Sequence, residues 1–214
     1  MGSYYKIKKL LLTILTLMLF LLSACQTNNV KEEPYDGVLL KIAVVGEQPN
    51  VREEQINFNE LSLSELHHSN LRKYDAVFIM EDHLSDASKS KYVEMYKSKN
   101  IPFFFVGSRA NTIPFQDLEN PVSYEEEAER INGTQNFISG ILYEGEEKGY
   151  RGWKLAYPIK SSEVQRDNVK GIYSKVFKVV ENEVKKFLNY RWLSSKSEDI
   201  LNSNFPVKSE LIYK

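Results

Sequence analysis

VLLKIAVV (residues 38–45), YDAVFIM (74–80) and IPFFFV (101–106) are the three stretches that decide the fold. Each is a short, nearly unbroken apolar run rich in β-branched or aromatic side chains. Runs of this length read as strands buried on both faces, because a strand with one wet face would alternate with polar residues. Gly46 and Gly107 close the first and third runs. Pro102 stands near the start of the third, where the missing ladder donor is tolerated. Between the runs the pattern is helical. Ser64–Lys73 suits a short helix, and Ser85 suits an N-cap for an amphipathic helix over Asp86–Lys99 carrying Ala87, Val93, Met95 and Tyr96. INFNELSL (56–63) alternates weakly and suits an edge strand. Strand, helix and strand in succession imply an α/β domain with a mostly parallel sheet and right-handed crossovers.

After Gly107 the pattern changes. Pro121, Ser123 and Glu126 give a capping-box start to a short acidic helix over Ser123–Ile131, stopped by Asn132-Gly133. Phe137–Tyr143 and Trp153–Ile159 are expected to form a β-hairpin extension around the polar loop EGEEKGYRG. Val169–Tyr190 reads as a long C-terminal helix, since Ile172, Tyr173, Val176, Phe177, Val180, Val184, Phe187 and Leu188 recur at three- and four-residue steps. Residues 191–214, with Trp192, Leu193, Phe205 and Leu211, form a C-terminal extension. The order of elements over residues 38–110 resembles part of a flavodoxin-like or amidotransferase-like domain. That resemblance implies an open sheet with ligands gathered beyond the carboxyl ends of its strands.

The first 25 residues carry a different message. Lys6, Lys8 and Lys9 form a positive region, an apolar run extends from Leu10 to Leu22, and Ser23-Ala24-Cys25 follows. This is the layout of a secretory signal, and the run is shorter than a membrane span usually requires. Leu22-Ser23-Ala24-Cys25 resembles the lipobox of bacterial lipoprotein precursors. The resemblance implies diacylglyceryl transfer to the Cys25 sulfur, cleavage before Cys25 and attachment to the outer face of the cell membrane. The lipobox and the lysine-rich chain together resemble small lipoproteins of Gram-positive bacteria. On this reading residues 1–24 are a signal peptide, 25–37 a polar tether and 38–190 one domain.

Composition narrows the function classes. The 214 residues hold 28 Lys+Arg, 29 Asp+Glu and a single cysteine. Loss of residues 1–24 removes three lysines and no acid, leaving about 190 residues with a net charge near −4. Nothing there points to nucleic acid as a partner. With Cys25 acylated no thiol remains for a disulfide, a cysteine nucleophile or a cysteine metal site. No cofactor loop is present either: VVGEQPN after the first strand lacks G-x-G-x-x-G, and no G-x-x-x-x-G-K occurs.

Chemistry is therefore sought where the three strands end. Glu47, Glu81, Asp82, His83, Ser108 and Arg109 follow those ends, and parallel neighbours would bring them to one rim. Glu81-Asp82-His83 has the residue types for a divalent cation but adjacent rather than spaced ligands, so no metal is assigned. Gly107-Ser108-Arg109 resembles the turn where amidotransferase-like hydrolases place a nucleophile. Here that residue is serine, G-x-S-x-G is absent, and no histidine follows His83. Tyr143, Tyr150, Arg151, Trp153 and Tyr157 could present a sugar, peptide or partner surface, but packing on the sheet is favoured. Asn132-Gly133-Thr134 matches a glycosylation acceptor and is discounted for a bacterial route. The expectation is a membrane-tethered binding or accessory module, with a divergent hydrolase at the strand ends as the alternative.

Overall fold

Alternate side chains of the central strands face opposite ways, and both sets are buried. Ile42 and Val44 of β1 (Leu40–Val45), Phe78 of β3 (Ala76–Ile79) and Phe104 of β4 (Phe103–Val106) enter one core. Ala43, Val45, Val77, Ile79, Phe103 and Phe105 enter the other. A strand buried on both faces needs a layer on each side, and the computed structural model shows both layers. It describes residues 33–116, 119–131, 135–167 and 169–204; side chains are not described for residue 191 or residues 194–204. Cys25, the signal peptide, the start of the tether, Asn132-Gly133-Thr134 and residues 205–214 lie outside it.

The six-stranded sheet has the order β2-β1-β3-β4-β5-β6. β2 (Ile56–Glu60), β1, β3 and β4 are parallel neighbours. β5 (Asn136–Tyr143) pairs antiparallel with β4, and β6 (Tyr150–Ala156) antiparallel with β5. The α/β class and the mostly parallel sheet expected from the sequence are thus present. The expected β-hairpin extension is present as well: its first strand pairs with β4, so the hairpin extends the main sheet. Its second strand starts at Tyr150, inside the stretch read as loop. Gly140 makes this packing possible, since a Cβ there would stand 2.6 Å from the Phe104 ring.

One face is covered by α1 (Leu63–His68), α2 (Leu84–Ala87), α3 (Ser90–Ser98) and α4 (Tyr124–Ile131). The helix expected over 86–99 is broken in two, because the Ser88 hydroxyl donates to the Ser85 carbonyl at 2.9 Å and Lys89 takes an extended backbone. The other face is covered by α5 (Val169–Asn204), which runs on past the expected end at Tyr190 into the supposed extension. Ile172, Tyr173, Val176, Phe177 and Val180 are buried there, and Phe177 stacks on Phe78 with centroids 6.2 Å apart. No helix among the described residues is long and apolar enough to cross a membrane.

The folded unit begins earlier than expected. Tyr35, read as tether, is 2% exposed and packs against Phe177. Its backbone N–H donates to Glu53 Oε1 at 3.1 Å. Glu53 lies in the helix-free link from β1 to β2 and also accepts from the Ser174 hydroxyl and from the Arg52 backbone N–H. A buried carboxylate with this many donors ties the chain entry, the link and α5 together.

Candidate functional site

Because β1, β3 and β4 are parallel neighbours, their carboxyl ends share one edge of the sheet. β1 and β3 end on Val45 and Ile79, which are register partners, and Met80 N–H donates to the Val45 carbonyl at 3.0 Å. The chain then turns through a 3-10 turn, Glu81–His83, into α2. Two glycines let that turn sit low on the edge. Gly46 has φ +101°, and a Cβ there would stand 2.9 Å from His83 Cδ2 and 3.0 Å from Met80 Cβ. Gly107 has φ +78°, and its Cβ would stand 2.8 Å from Glu81 Cβ. Both conformations are ones a side-chain-bearing residue rarely adopts. The structure thus brings Gly46 to His83 and Gly107 to Glu81.

The six candidate residues have different fates. Glu47, Glu81, Asp82 and Arg109 are exposed, and His83 is half-buried. Ser108 is fully buried. Its hydroxyl donates to the Ala110 carbonyl at 2.9 Å, and its own carbonyl accepts from Asn136 Nδ2 at 2.8 Å. Asn136 and the Ser139 hydroxyl also reach the Ala110 carbonyl. Ser108 is therefore a member of a buried polar knot that fixes the loop after β4, and it does not present a nucleophile to the rim. The backbone N–H of Arg109 donates to the Tyr124 hydroxyl at 3.2 Å, which ties the same loop to α4. Farther along that loop, Asn111 Nδ2 donates to buried Glu127, which Arg130 also grips with two nitrogens at 2.7 Å.

An open recess of about 370 Å³ lies at the ends of β1 and β2, lined by Gly46, Glu60, Leu61, Ser62, Glu65 and His83. It falls beside the place where the strand order reverses, β2 on one side of β1 and β3 on the other. Two of its polar side chains, Ser62 and Glu65, are engaged with each other. Ser62 caps α1, and Ser62 N–H donates to Glu65 Oε2 at 2.7 Å. The Ser62 hydroxyl and backbone N–H hold the Glu65 carboxyl below its ordinary pKa. Glu60 and Glu65 enter this recess although the sequence reading did not single them out. A serine three residues before a glutamate (Ser62 and Glu65) was the available signal.

Tyr157 is a further rim residue the sequence reading placed elsewhere. It follows β6 at the same edge, packs on Phe137 at 5.0 Å, and has the Arg166 guanidinium 5.1 Å over its ring. Burial raises its phenol pKa, the Arg166 charge opposes the rise, and the Glu81 carboxylate adds to it. A small hairpin, β7 (Ile159–Lys160) and β8 (Glu163–Val164), follows, turning on Ser161 and Ser162 at φ 51° and 66°. The other aromatics of this stretch pack inward or on each other: Trp153 on Phe104 at 5.5 Å, Tyr143 on Tyr150 at 5.1 Å. Among the described residues no group of three or more His, Cys, Asp or Glu side chains converges as a metal site, so Glu81, Asp82 and His83 do not gather into one.

Comparison with protein-family models, with curated proteins and with solved structures finds no match to this chain.

Proposed function

We propose that this protein is a membrane-tethered lipoprotein of the extracytoplasmic face, held through lipid on Cys25, and that its domain is a non-catalytic binding or accessory module. The lipobox Leu22-Ser23-Ala24-Cys25 supports the tether. The state of Ser108 carries the second half. The hydroxyl that a strand-end hydrolase would use is fully buried and donated to the Ala110 carbonyl. A nucleophilic serine needs an adjacent base and a path to substrate, and Ser108 faces a backbone carbonyl instead. The rim is open and shallow, which suits contact with a partner surface better than enclosure of a small substrate.

A serine-reactive fluorophosphonate probe distinguishes the module from the hydrolase. The folded full-length chain is expected to stay unlabelled, at the level of its Ser108→Ala variant. Labelling of the wild type that Ser108→Ala abolishes would establish the hydrolase.

A further inference from the structure

β2 is an outer strand of the sheet and pairs with β1 alone. Its ladder alternates. The Gln55 carbonyl accepts from Leu40 N–H at 3.0 Å, and Leu61 N–H donates to the Val44 carbonyl at 2.7 Å. Residues 55, 57, 59 and 61 therefore turn their backbone groups toward β1. Ile56, Phe58 and Glu60 turn theirs outward, and no backbone partner among the described residues meets them. Two recesses flank this edge. One of about 480 Å³ lies between Ile56, Phe58 and the link from β1 to β2, at Val51 and Glu54. The other is the recess of about 370 Å³ at Glu60, Ser62 and Glu65.

We infer that the outer edge of β2 takes up an extended, basic segment of a partner protein, which joins the sheet as an added strand. The inference deepens the reading of the domain as a binding module and rests on it. A row of N–H and C=O groups repeating every second residue is matched by the backbone of another strand. Alternate side chains of that added strand, on the face covered by α5, would stand over the recess beside Phe58.

Charge selects the segment. The residues lining the two recesses include Glu53, Glu54, Glu60 and Glu65, one histidine, and no lysine or arginine. Glu53 is buried among its own donors and Glu65 is held by Ser62. That leaves Glu54, just before β2, and Glu60, at its end, both exposed. They stand about 20 Å apart along an extended strand. The basic side chains of the surrounding elements are placed otherwise. Arg52 is turned to Glu53 and Ser174, Lys41 stands on β1 opposite Asn57, and Lys170 and Lys178 belong to α5 and line neither recess. A second copy fits less well. Two β2 edges paired antiparallel about Phe58 would set Glu60 of each diagonal to Glu54 of the other, and like charges oppose that pairing.

Two acetylated and amidated peptides, Lys-Val-Thr-Val-Lys and Glu-Val-Thr-Val-Glu, test this on the folded full-length chain at up to millimolar concentration. Amide hydrogen exchange is followed with and without peptide. In the free chain the Ile56, Phe58 and Glu60 amides are expected to exchange freely, while those of Asn57 and Asn59 are protected. The lysine peptide at saturation should slow the three edge amides about tenfold, and the glutamate peptide should not. N-methylation of one alternate set of peptide residues should abolish the effect, and N-methylation of the other set should be tolerated. Glu54→Lys with Glu60→Lys should exchange the two preferences. Edge amides as protected in the free chain as those of Asn57 and Asn59 overturn the inference. So does protection that grows with protein concentration, which would assign the edge to a second copy. Equal behaviour of the two peptides, or indifference to N-methylation, overturns it too. Labelling by the fluorophosphonate probe is read on the same preparation. Labelling together with peptide protection removes the non-catalytic reading and keeps the edge; neither labelling nor protection does the reverse.

Discussion

Gly46 and His83 meet so closely that a methyl group on Gly46 would stand 2.9 Å from the imidazole. The contact joins the loop after β1 to the turn after β3, and it exists only because Gly46 holds φ +101°. Gly46→Ala must strain the backbone and displace His83 together. A loss of about 1–3 kcal/mol in unfolding free energy is expected by chemical denaturation. Gly145, also at positive φ but with nothing within 4 Å, isolates the backbone share. Gly145→Ala should cost less than Gly46→Ala, and equal losses would show that the His83 contact contributes nothing.

Phe177 sets the strength of the second core. It stacks on Phe78 and lies within ring contact of Tyr35, Phe58 and Tyr173. Phe177→Ala removes a fully buried ring from the seam between α5 and the sheet, and should cost about 3–5 kcal/mol. An unchanged denaturation midpoint would mean that α5 does not cover this face.

Glu53 is the polar counterpart. Glu53→Ala leaves the buried Tyr35 backbone N–H without its acceptor, and the Ser174 hydroxyl and Arg52 lose one of their partners. A loss of about 3 kcal/mol is expected, because a buried donor is left unpaired and a buried charge pair is broken. Glu53→Gln keeps one acceptor oxygen and should lose less. If both variants melt with the wild type, the network does not hold the β1–β2 link.

Alkaline solution should weaken the fold through Tyr96 and Tyr173. Burial raises both phenol pKa values above the ordinary tyrosine value of 10.0. The unfolded chain therefore releases these protons first. The stability they contribute is complete below about pH 10 and falls as pH rises beyond it. Denaturation followed from pH 8 to pH 11 should show that fall, and Tyr173→Phe should make it shallower. A fall of the same slope in the variant would assign the effect to other groups.

Much of this fold is legible in the sequence because its central strands have no wet face. VLLKIAVV, YDAVFIM and IPFFFV are continuous apolar runs, and their parallel pairing puts their ends on one edge. The β5–β6 boundary was not legible. Tyr150, Arg151 and Gly152 look like loop, yet Arg151 is held by Glu144 and Glu183, partners that are distant or unmarked in the sequence. The end of α5 is not legible, because the apolar spacing weakens after Leu188, where packing no longer dictates it. Ser108 is the candidate-site residue whose surroundings the sequence hides most. A serine after a strand-end glycine has the right residue type, but sequence does not say that Asn136 and Ser139, far along the chain, draw this loop inward. Tyr35 reads as tether because its flanks are polar, while its ring is fixed by a helix more than a hundred residues later.

The central claim, a lipid-tethered module, is tested most directly by metabolic labelling with a radioactive or clickable fatty acid in a bacterium expressing the full chain. The wild type should incorporate label and its mature form should begin at Cys25, whereas Cys25→Ser should carry none and remain uncleaved. Label in Cys25→Ser at the wild-type level, or an unlabelled wild type, would contradict the account.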